Sequence, residues 1–328
     1  MCGIVGICAL RGARPVEEPT LRSMLGTIRH RGPDQFGIYL DDHVGLGNAR
    51  LSIIDLSTGQ QPISNEGESL WIVFNGEIFN HPELRLELES RGHRFSTTCD
   101  TEVVLHAYEE YGPDCLSRFN GQFAMAIWDS QDRTLFIARD RLGVRPLFYT
   151  EADGALVFGS EIKAILAHPG VIASPDPVAL DQIFTFWSTL SPRTFFRGIA
   201  ELPPGHSMLV KGGRITLERY WEMAFPEDDA VPLRSTQEYA EELRDLLIDA
   251  TRVRLRADVP VGAYLSGGLD SSTVTAIIRS QTTNPLETFS IAFADAHYDE
   301  SGFQTTMAKA LGTQHHVVHA THADIGEV

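Results

Sequence analysis

Met1-Cys2-Gly3-Ile4-Val5-Gly6-Ile7-Cys8-Ala9-Leu10 opens the chain with an apolar, glycine-containing run behind a cysteine. No basic residue precedes this run, and Arg11, Arg14 and Glu17 follow it at once, so it reads as mature sequence and not as a secretory leader. Gly3–Ala9 is therefore expected to be a strand with Cys2 at its head. Working outward, Gly37–Leu40, Leu70–Phe74, Phe123–Asp129, Leu135–Ala138 and Ala155–Gly159 are further strand candidates, numerous enough for two sheets. Apolar residues recur at three and four over Glu18–Ile28, Pro82–Ser90, Thr101–Glu110 and Ile162–Ala167, which predicts helices there. The expectation is a layered α+β domain.

The chain has 328 residues, which favours two domains. With 43% hydrophobic and 22% charged residues it can bury a substantial core and is not a disordered composition. Its net charge of −17 repels polyphosphate backbones and anionic membranes, so nucleic acid is excluded as a main partner. No apolar run reaches the ~20 residues needed to span a bilayer. Cys2, Cys8, Cys99 and Cys115 show no short paired spacing, which argues against a zinc knuckle or a disulfide framework and predicts a cytoplasmic protein. Glu227-Asp228-Asp229-Ala230-Val231-Pro232 is acidic and aperiodic, and reads as a linker.

Removal of Met1 would leave Cys2 bearing a thiol and a free α-amine. The amine titrates near ~7.7–8.0 and the thiol near ~8.5, so the amine can accept the thiol proton and no histidine is required. The alternative is a small buried thiol at the head of a strand. Phe74-Asn75-Gly76-Glu77-Ile78 reads as an apolar strand ending in a polar turn, where the Asn75 amide and the Gly76 N–H suit an oxyanion hole. Arg50 suits an α-carboxylate, and Glu77 and Asp100 suit an α-ammonium. Each has a plainer reading as well: Asn75-Gly76 as a hairpin turn, Arg50 as a surface arginine, Asp100 as the N-cap of the following helix.

In their order along the chain, Met1-Cys2-Gly3-Ile4-Val5-Gly6, Arg31-Gly32-Pro33-Asp34, Arg50-Leu51-Ser52-Ile53, Asn75-Gly76-Glu77-Ile78 and Asp100-Thr101-Glu102 resemble class II glutamine amidotransferase domains, which are N-terminal-nucleophile hydrolases. The resemblance continues through Arg139–Tyr149 and Ser160–Ala164, segments that shape the fold in that family, so Lys163 is not assigned a catalytic role. It implies two packed antiparallel sheets flanked by helices over residues 2–220, then a linker at 221–234. It also implies that Cys2 attacks the glutamine amide and that Asn75 and Gly76 hold the oxyanion. Glutamine would be bound by Arg50, Leu51, Ser52, Ile53, Ile54, Asn75, Gly76, Glu77 and Asp100, with the Arg31 segment closing over it.

Farther on, Asp258–Leu265 reads as a strand, Ser266-Gly267-Gly268-Leu269-Asp270-Ser271-Ser272 as a loop, and the residues from Thr273 as a helix. Successive N–H groups at such a helix start attract phosphate, although a Gly-Gly turn is also common in purely structural roles. The loop resembles the pyrophosphate loop of ATP pyrophosphatases, and the pairing of the two modules resembles the glutamine-hydrolysing asparagine synthetases. That resemblance implies an α/β parallel-sheet domain over 235–328, with ATP bound by Leu265, Ser266, Gly267, Gly268, Leu269, Asp270, Ser271, Ser272 and Ile291, and Asp270 holding Mg2+. Leu265 and Ile291 also read as ordinary core residues of a sheet apolar throughout.

The implied small-molecule partners are glutamine, ATP and aspartate, with no organic cofactor, no nucleic acid and no membrane; a homodimer is left open. The implied reaction is ATP + aspartate + glutamine + water to AMP, diphosphate, asparagine and glutamate. Two alternatives stand beside it: a tailoring amidotransferase acting on another carboxylate, and a non-catalytic glutamine-binding remnant. Ninety-four residues from Ser235 are few for a doubly wound nucleotide domain, so that domain is expected to be incomplete, leaving glutamine hydrolysis as the main activity of the chain. The two modules are expected to face each other across an apolar passage for ammonia. His315, His316, His319 and His322 are not taken as a zinc site, because they read as a strand leading to a loop.

Overall fold

The computed structural model describes residues 1–10, 15–225, 234–282, 285–295, 297–321 and 324. Arg11, Arg14, the Glu227–Pro232 segment read as a linker, and His322 lie outside the described residues. Contacts divide the chain into Met1–Phe225 and Pro226–Val328, and each unit is taken by itself.

The first unit begins with β1 (Gly3–Ala9), α1 (Glu18–Thr27), β2 (Gln35–Leu40) and β3 (Val44–Arg50). It continues through β4 (Ile63–Ser64), β5 (Leu70–Ile78), α2 (His81–Ser90), α3 (Asp100–Tyr111), β6 (Gly121–Asp129) and β7 (Thr134–Arg139). Then come β8 (Phe148–Ala152), β9 (Ala155–Gly159), α4 (Ile162–Leu166), α5 (Pro177–Phe186), β10 (Ala200–Glu201), β11 (His206–Lys211) and β12 (Arg214–Arg219). Two antiparallel sheets result, in the orders β10-β8-β9-β1-β3-β2 and β12-β11-β7-β6-β5-β4.

β1 explains the layering. Its residues are apolar on both faces, and both faces are covered. Ile4 and Cys8 pack with Val73, Ala126, Trp128 and Ile137 of the other sheet, while Val5 and Ile7 pack outward on Leu21, Met24 and Leu25 of α1. The outer face of the second sheet is covered in turn by α2 and α3, through Leu84, Leu88, Val103 and Val104. Each fully buried Leu, Ile or Phe in these layers is worth roughly 1.5–3 kcal/mol of transfer free energy. Gly6 is required by this packing, because a Cβ there would collide with the ring of Phe158 on the neighbouring β9.

Three expectations for this unit are corrected. β5 does not end at Phe74: Asn75 pairs with Ala124 and Gly76 with Phe123 of β6, so neither forms a hairpin turn. The close approach of β6 favours this, since a Cβ on Gly76 would lie 2.7 Å from Phe123 Cα. Asp100 is the first residue of α3 and Cys99 occupies the N-cap position, because the Asp100 carboxylate is engaged by β5. Arg50 is not a surface residue; it is 3% exposed. β3, β4, β8, β10, β11, β12 and α5 escaped the sequence reading.

The second unit contains α6 (Thr236–Val253), β13 (Ala263–Tyr264), α7 (Leu269–Gln281), β14 (Glu287–Phe293), α8 (Ser301–Leu311) and β15 (Gln314–Ala320). Its strands form a parallel sheet in the order β13-β14-β15. The strand read over Asp258–Leu265 is confined to Ala263–Tyr264. The sheet is not apolar throughout either. On β14, Thr288, Ser290 and Ala292 are buried whereas Phe289, Ile291 and Phe293 are exposed, the alternation of a sheet covered on one face. Hence Leu265 is a core residue and Ile291, at 55% exposure, is not. Ser235 and Glu238 form a reciprocal capping box that starts α6. Among the described residues, no helix is long and apolar enough to cross a membrane.

Candidate functional site

β1 delivers Cys2 to one pocket of the first unit, where it meets Arg50 and Leu51 at the end of β3, Asn75 on β5 and Asp100 on α3. Four sequence elements far apart in the chain thus converge because β1 is the neighbour of β3 and α3 covers β5. The backbone N–H of Leu51 donates to Cys2 Sγ at 3.4 Å. Burial pushes the Cys2 thiol up from its ordinary value, while the Leu51 N–H, the terminal amine and the Arg50 charge favour the thiolate. Burial also lowers the pKa of the Met1 amine, with Arg31 and Arg145 acting in the same direction. Arg31 anchors the Cys2 backbone: its Nε donates to the Cys2 carbonyl at 2.9 Å and its Nη1 to Glu161 at 3.0 Å.

Asn75 is 1% exposed, and neither its amide nitrogen nor its amide oxygen has a hydrogen-bond partner among the described residues. A buried amide left unpaired costs ~1–3 kcal/mol, and such groups are rare outside sites that receive a ligand. Its position is held from both sides. The Gln61 carboxamide accepts the Phe74 N–H at 2.6 Å, the Asn48 amide donates to the Phe74 carbonyl at 3.2 Å, and Gly76 admits β6 on the other edge. Gln61 and Asn48 went unassigned in the sequence reading, because their roles lie in contacts with a strand distant in sequence.

Arg50 donates to the Gln35 side chain at 2.8 Å and to the Ile54 and Asp55 carbonyls at 2.8 and 2.6 Å. These bonds fix the guanidinium and fold the Leu51–Asp55 segment around it. Asp55 in turn accepts from Thr58 at 2.8 Å and from the Thr98 N–H at 2.7 Å, which holds its carboxyl well below the usual range. Gly59 backs the arrangement, since a Cβ there would collide with the Arg50 guanidinium and lie 3.0 Å from Cys99 Sγ. Ile53, Ile54, Gly76 and Glu77 also line the pocket. Ser52 is not among the lining residues; its N–H donates to Asp34 at 2.8 Å, tying this segment to the Arg31 turn.

Asp100 is almost wholly buried, and burial pushes its carboxyl above the ordinary value despite the N–H of Ile78 at 3.0 Å. Arg145 lines the same pocket, a role the sequence reading gave only to the shape of the fold. Its loop is organised by Asp140, which accepts the N–H groups of Leu142, Val144 and Arg145 at 3.0–3.1 Å. Lys163 is exposed and paired with Glu161 at 2.9 Å, away from the pocket.

In the second unit, Leu265 and Ser266 share a pocket with Ser290, Ile291, Tyr298 and Gln304. Gly267 has φ +86°, and a Cβ there would lie 2.7 Å from Phe303 Cβ, so the loop needs glycine. Gly268 caps α7, Ser266 and Ser271 hydroxyls meet at 3.0 Å, and the buried Ser272 Oγ has no partner among the described residues. Leu269 and Asp270 form the exposed first turn of α7. This glycine cradle with an unpaired hydroxyl and an adjoining carboxylate fits a magnesium–polyphosphate group. His315 bonds Thr288 at 3.0 Å, whereas His316 faces Glu287 and stacks on Phe289, so adjacent imidazoles diverge.

Residues 1–221 match the family described as "Glutamine amidotransferase domain", and residues 242–328 match "Asparagine synthase". The chain is 39% identical to "Asparagine synthetase [glutamine-hydrolyzing] 3" of Bacillus subtilis (strain 168), covering 96% of this chain and 54% of that protein. It is 37% identical to "Asparagine synthetase [glutamine-hydrolyzing] 1" of the same organism, covering 96% and 49%. It therefore spans about half the length of these relatives. Among solved structures, a B. subtilis glutamine phosphoribosylpyrophosphate amidotransferase complexed with ADP and GMP shares the fold, with TM-score 0.50 and 18% identity over 96% of this chain and 65% of that one.

Proposed function

Residues 1–221 make this chain a member of the glutamine amidotransferase domain family, and from that premise we propose that its first unit hydrolyses the side-chain amide of glutamine at Cys2. The single observation that carries the reading is Asn75, a buried amide without a partner in the pocket that Cys2 enters. Hydrolysis of the Met1–Cys2 peptide bond releases methionine and frees the α-amine of Cys2. That amine takes the thiol proton and Sγ attacks the amide carbon. The oxyanion receives hydrogen bonds from Asn75 Nδ2 and the Gly76 N–H. The protonated amine then gives its proton to the departing nitrogen, releasing ammonia, and water cleaves the thioester to glutamate. Arg50 receives the substrate carboxylate, and Glu77 with Asp100 receives the ammonium.

The second unit supports an extension of this reading to asparagine synthesis, in which ATP converts aspartate to an acyl-adenylate and ammonia displaces AMP. Leu265–Ser272 and Ile291 would hold ATP, and Asp270 would hold Mg2+, which supplies charge neutralisation at the phosphates. The names of the relatives and the Ser266–Ser272 cradle support this step. Of the full reaction, glutamine hydrolysis is the part assigned to the first unit.

The experiment is glutamate release from glutamine alone. The chain should release glutamate, and Cys2→Ser should remain folded and lose that release; full activity in Cys2→Ser would overturn the assignment.

A further inference from the structure

We propose that His93, His106 and Glu109 form a binding site for a divalent transition-metal cation, zinc foremost, separate from the glutamine pocket. His106 and Glu109 lie on α3, with His106 about 9 Å along the helix axis from Asp100. His93 comes from the segment between α2 and α3. None of the three lines the glutamine pocket.

One ligand atom from each residue lies within 4.8 Å of the other two. Glu109 Oε2 is 3.0 Å from His106 Nδ1 and 3.5 Å from His93 Nδ1. Zinc bonds of 2.0–2.2 Å in a tetrahedron place neighbouring ligand atoms ~3.3–3.6 Å apart, so closing on a cation requires only small side-chain movements. The donor set of two imidazoles and one carboxylate suits zinc or its first-row neighbours better than magnesium or calcium.

The outward atoms of the same three residues argue for the site independently of these distances. Ligating histidines usually give their second N–H to a carboxylate, and ligating carboxylates are themselves hydrogen-bonded. Here His93 Nε2 lies 3.1 Å from Glu110 Oε2, and Glu110 is held by Arg91 at 2.9 Å. Glu109 Oε1 accepts from the Asn65 amide at 3.0 Å. His106 is fully buried, and among the described residues its Nε2 has no hydrogen-bond partner but faces Glu102 Oε1 at 3.8 Å. Placing the imidazole protons on both Nε2 atoms directs them at Glu110 and Glu102 and leaves both Nδ1 lone pairs aimed at the cation. The side chains of His93 and Glu109 are 13% and 33% exposed, which gives the ion an entry path and a water for its fourth position.

The test titrates Zn2+ alone into the chelator-treated full chain, in a Cys2→Ser background so that the thiol offers no competing ligand, with a chromophoric chelator as competitor. One equivalent should bind that His93→Ala and Glu109→Gln each weaken at least ~100-fold, and that Asn65→Ala weakens ~10–100-fold. Zn2+ should raise the melting temperature of the parent and not that of Glu109→Gln, whose partly exposed side chain can be changed without opening the core. Co2+ should give the absorption of a tetrahedral site in the parent only. The proposal is overturned if the parent binds no Zn2+, or if His93→Ala and Glu109→Gln bind it as the parent does; the cluster would then be an ion-pair network between imidazolium and carboxylate groups.

Discussion

The carboxylate of Asp100 accepts the backbone N–H of Ile78 at 3.0 Å, joining the first residue of α3 to the last residue of β5. One residue proposed to bind the substrate ammonium is therefore mechanically tied to the strand that carries Asn75. Burial raises the Asp100 pKa, so its charged, ammonium-binding form is lost at a higher pH than an ordinary aspartate near ~3.9 would lose it. KM for glutamine should rise as pH falls through that raised value, and Asp100→Asn should show a high KM without this pH dependence. The sign for stability is opposite. The folded chain holds this proton more tightly than the unfolded chain, so stability is greatest below the unfolded pKa and falls as pH rises through the folded one. Asp100→Asn should therefore be relatively more stable near neutral pH than in acid, measured by denaturant unfolding at both.

Asn75→Ala should separate catalysis from stability. Removing an oxyanion donor costs about 10²–10³ in kcat. Removing an unpaired buried amide relieves a desolvation penalty of ~1–3 kcal/mol, set against the small cavity left behind. Glutamate release should fall by two to three orders of magnitude while the urea midpoint stays level or rises. A variant that loses both together would show that the amide is paired in the resting protein.

Gly59→Ala should act on substrate binding. The added methyl group would collide with the Arg50 guanidinium and press on Cys99 Sγ, displacing the group proposed to receive the substrate carboxylate. Overpacking of this kind costs typically 1–3 kcal/mol of stability. Steady-state kinetics should show KM raised more than kcat is lowered; an unchanged KM would remove Arg50 from the glutamine site.

An extension on the Cys2 amine should abolish hydrolysis while leaving the thiol intact, because the proposed proton acceptor is that amine and not a histidine. Comparing a chain with an uncleaved N-terminal tag to the same chain after cleavage to Cys2 checks this by glutamate release, with thiol titration as the control.

Arg31 tests positioning. Its bond to the Cys2 carbonyl and its ion pair with Glu161 hold Cys2, the proposed nucleophile, although Arg31 is not among the residues lining the pocket. Arg31→Ala should lower kcat by roughly tenfold, about 1.4 kcal/mol, with the thiol still present and titratable.

Much of the fold was legible because β1 and the first helices follow local rules. A run apolar on both faces must be covered on both, and that already implies layers. β3 was missed because Gly45 and Gly47 weaken its strand signal, yet Gly47 pairs with Val5 of β1 in the finished sheet. Asn75-Gly76 misled for the same reason in reverse: turn propensity acts over a few residues, whereas its pairing partners, Ala124 and Phe123, are nearly fifty positions away.

The amino-acid order by itself determined the kinds of chemistry available: a thiol beside a terminal amine, an amide, an arginine, two carboxylates and a glycine loop before a helix. Tertiary structure alone decided that Arg50 would be buried and braced by Gln35, Ile54 and Asp55, that the Asn75 side-chain amide would lack a partner among the described residues, and that His93 would meet His106 and Glu109 across a bend. The physical reason is that burial and hydrogen-bond satisfaction depend on which distant segments close over a side chain. Local propensity carries no record of those segments.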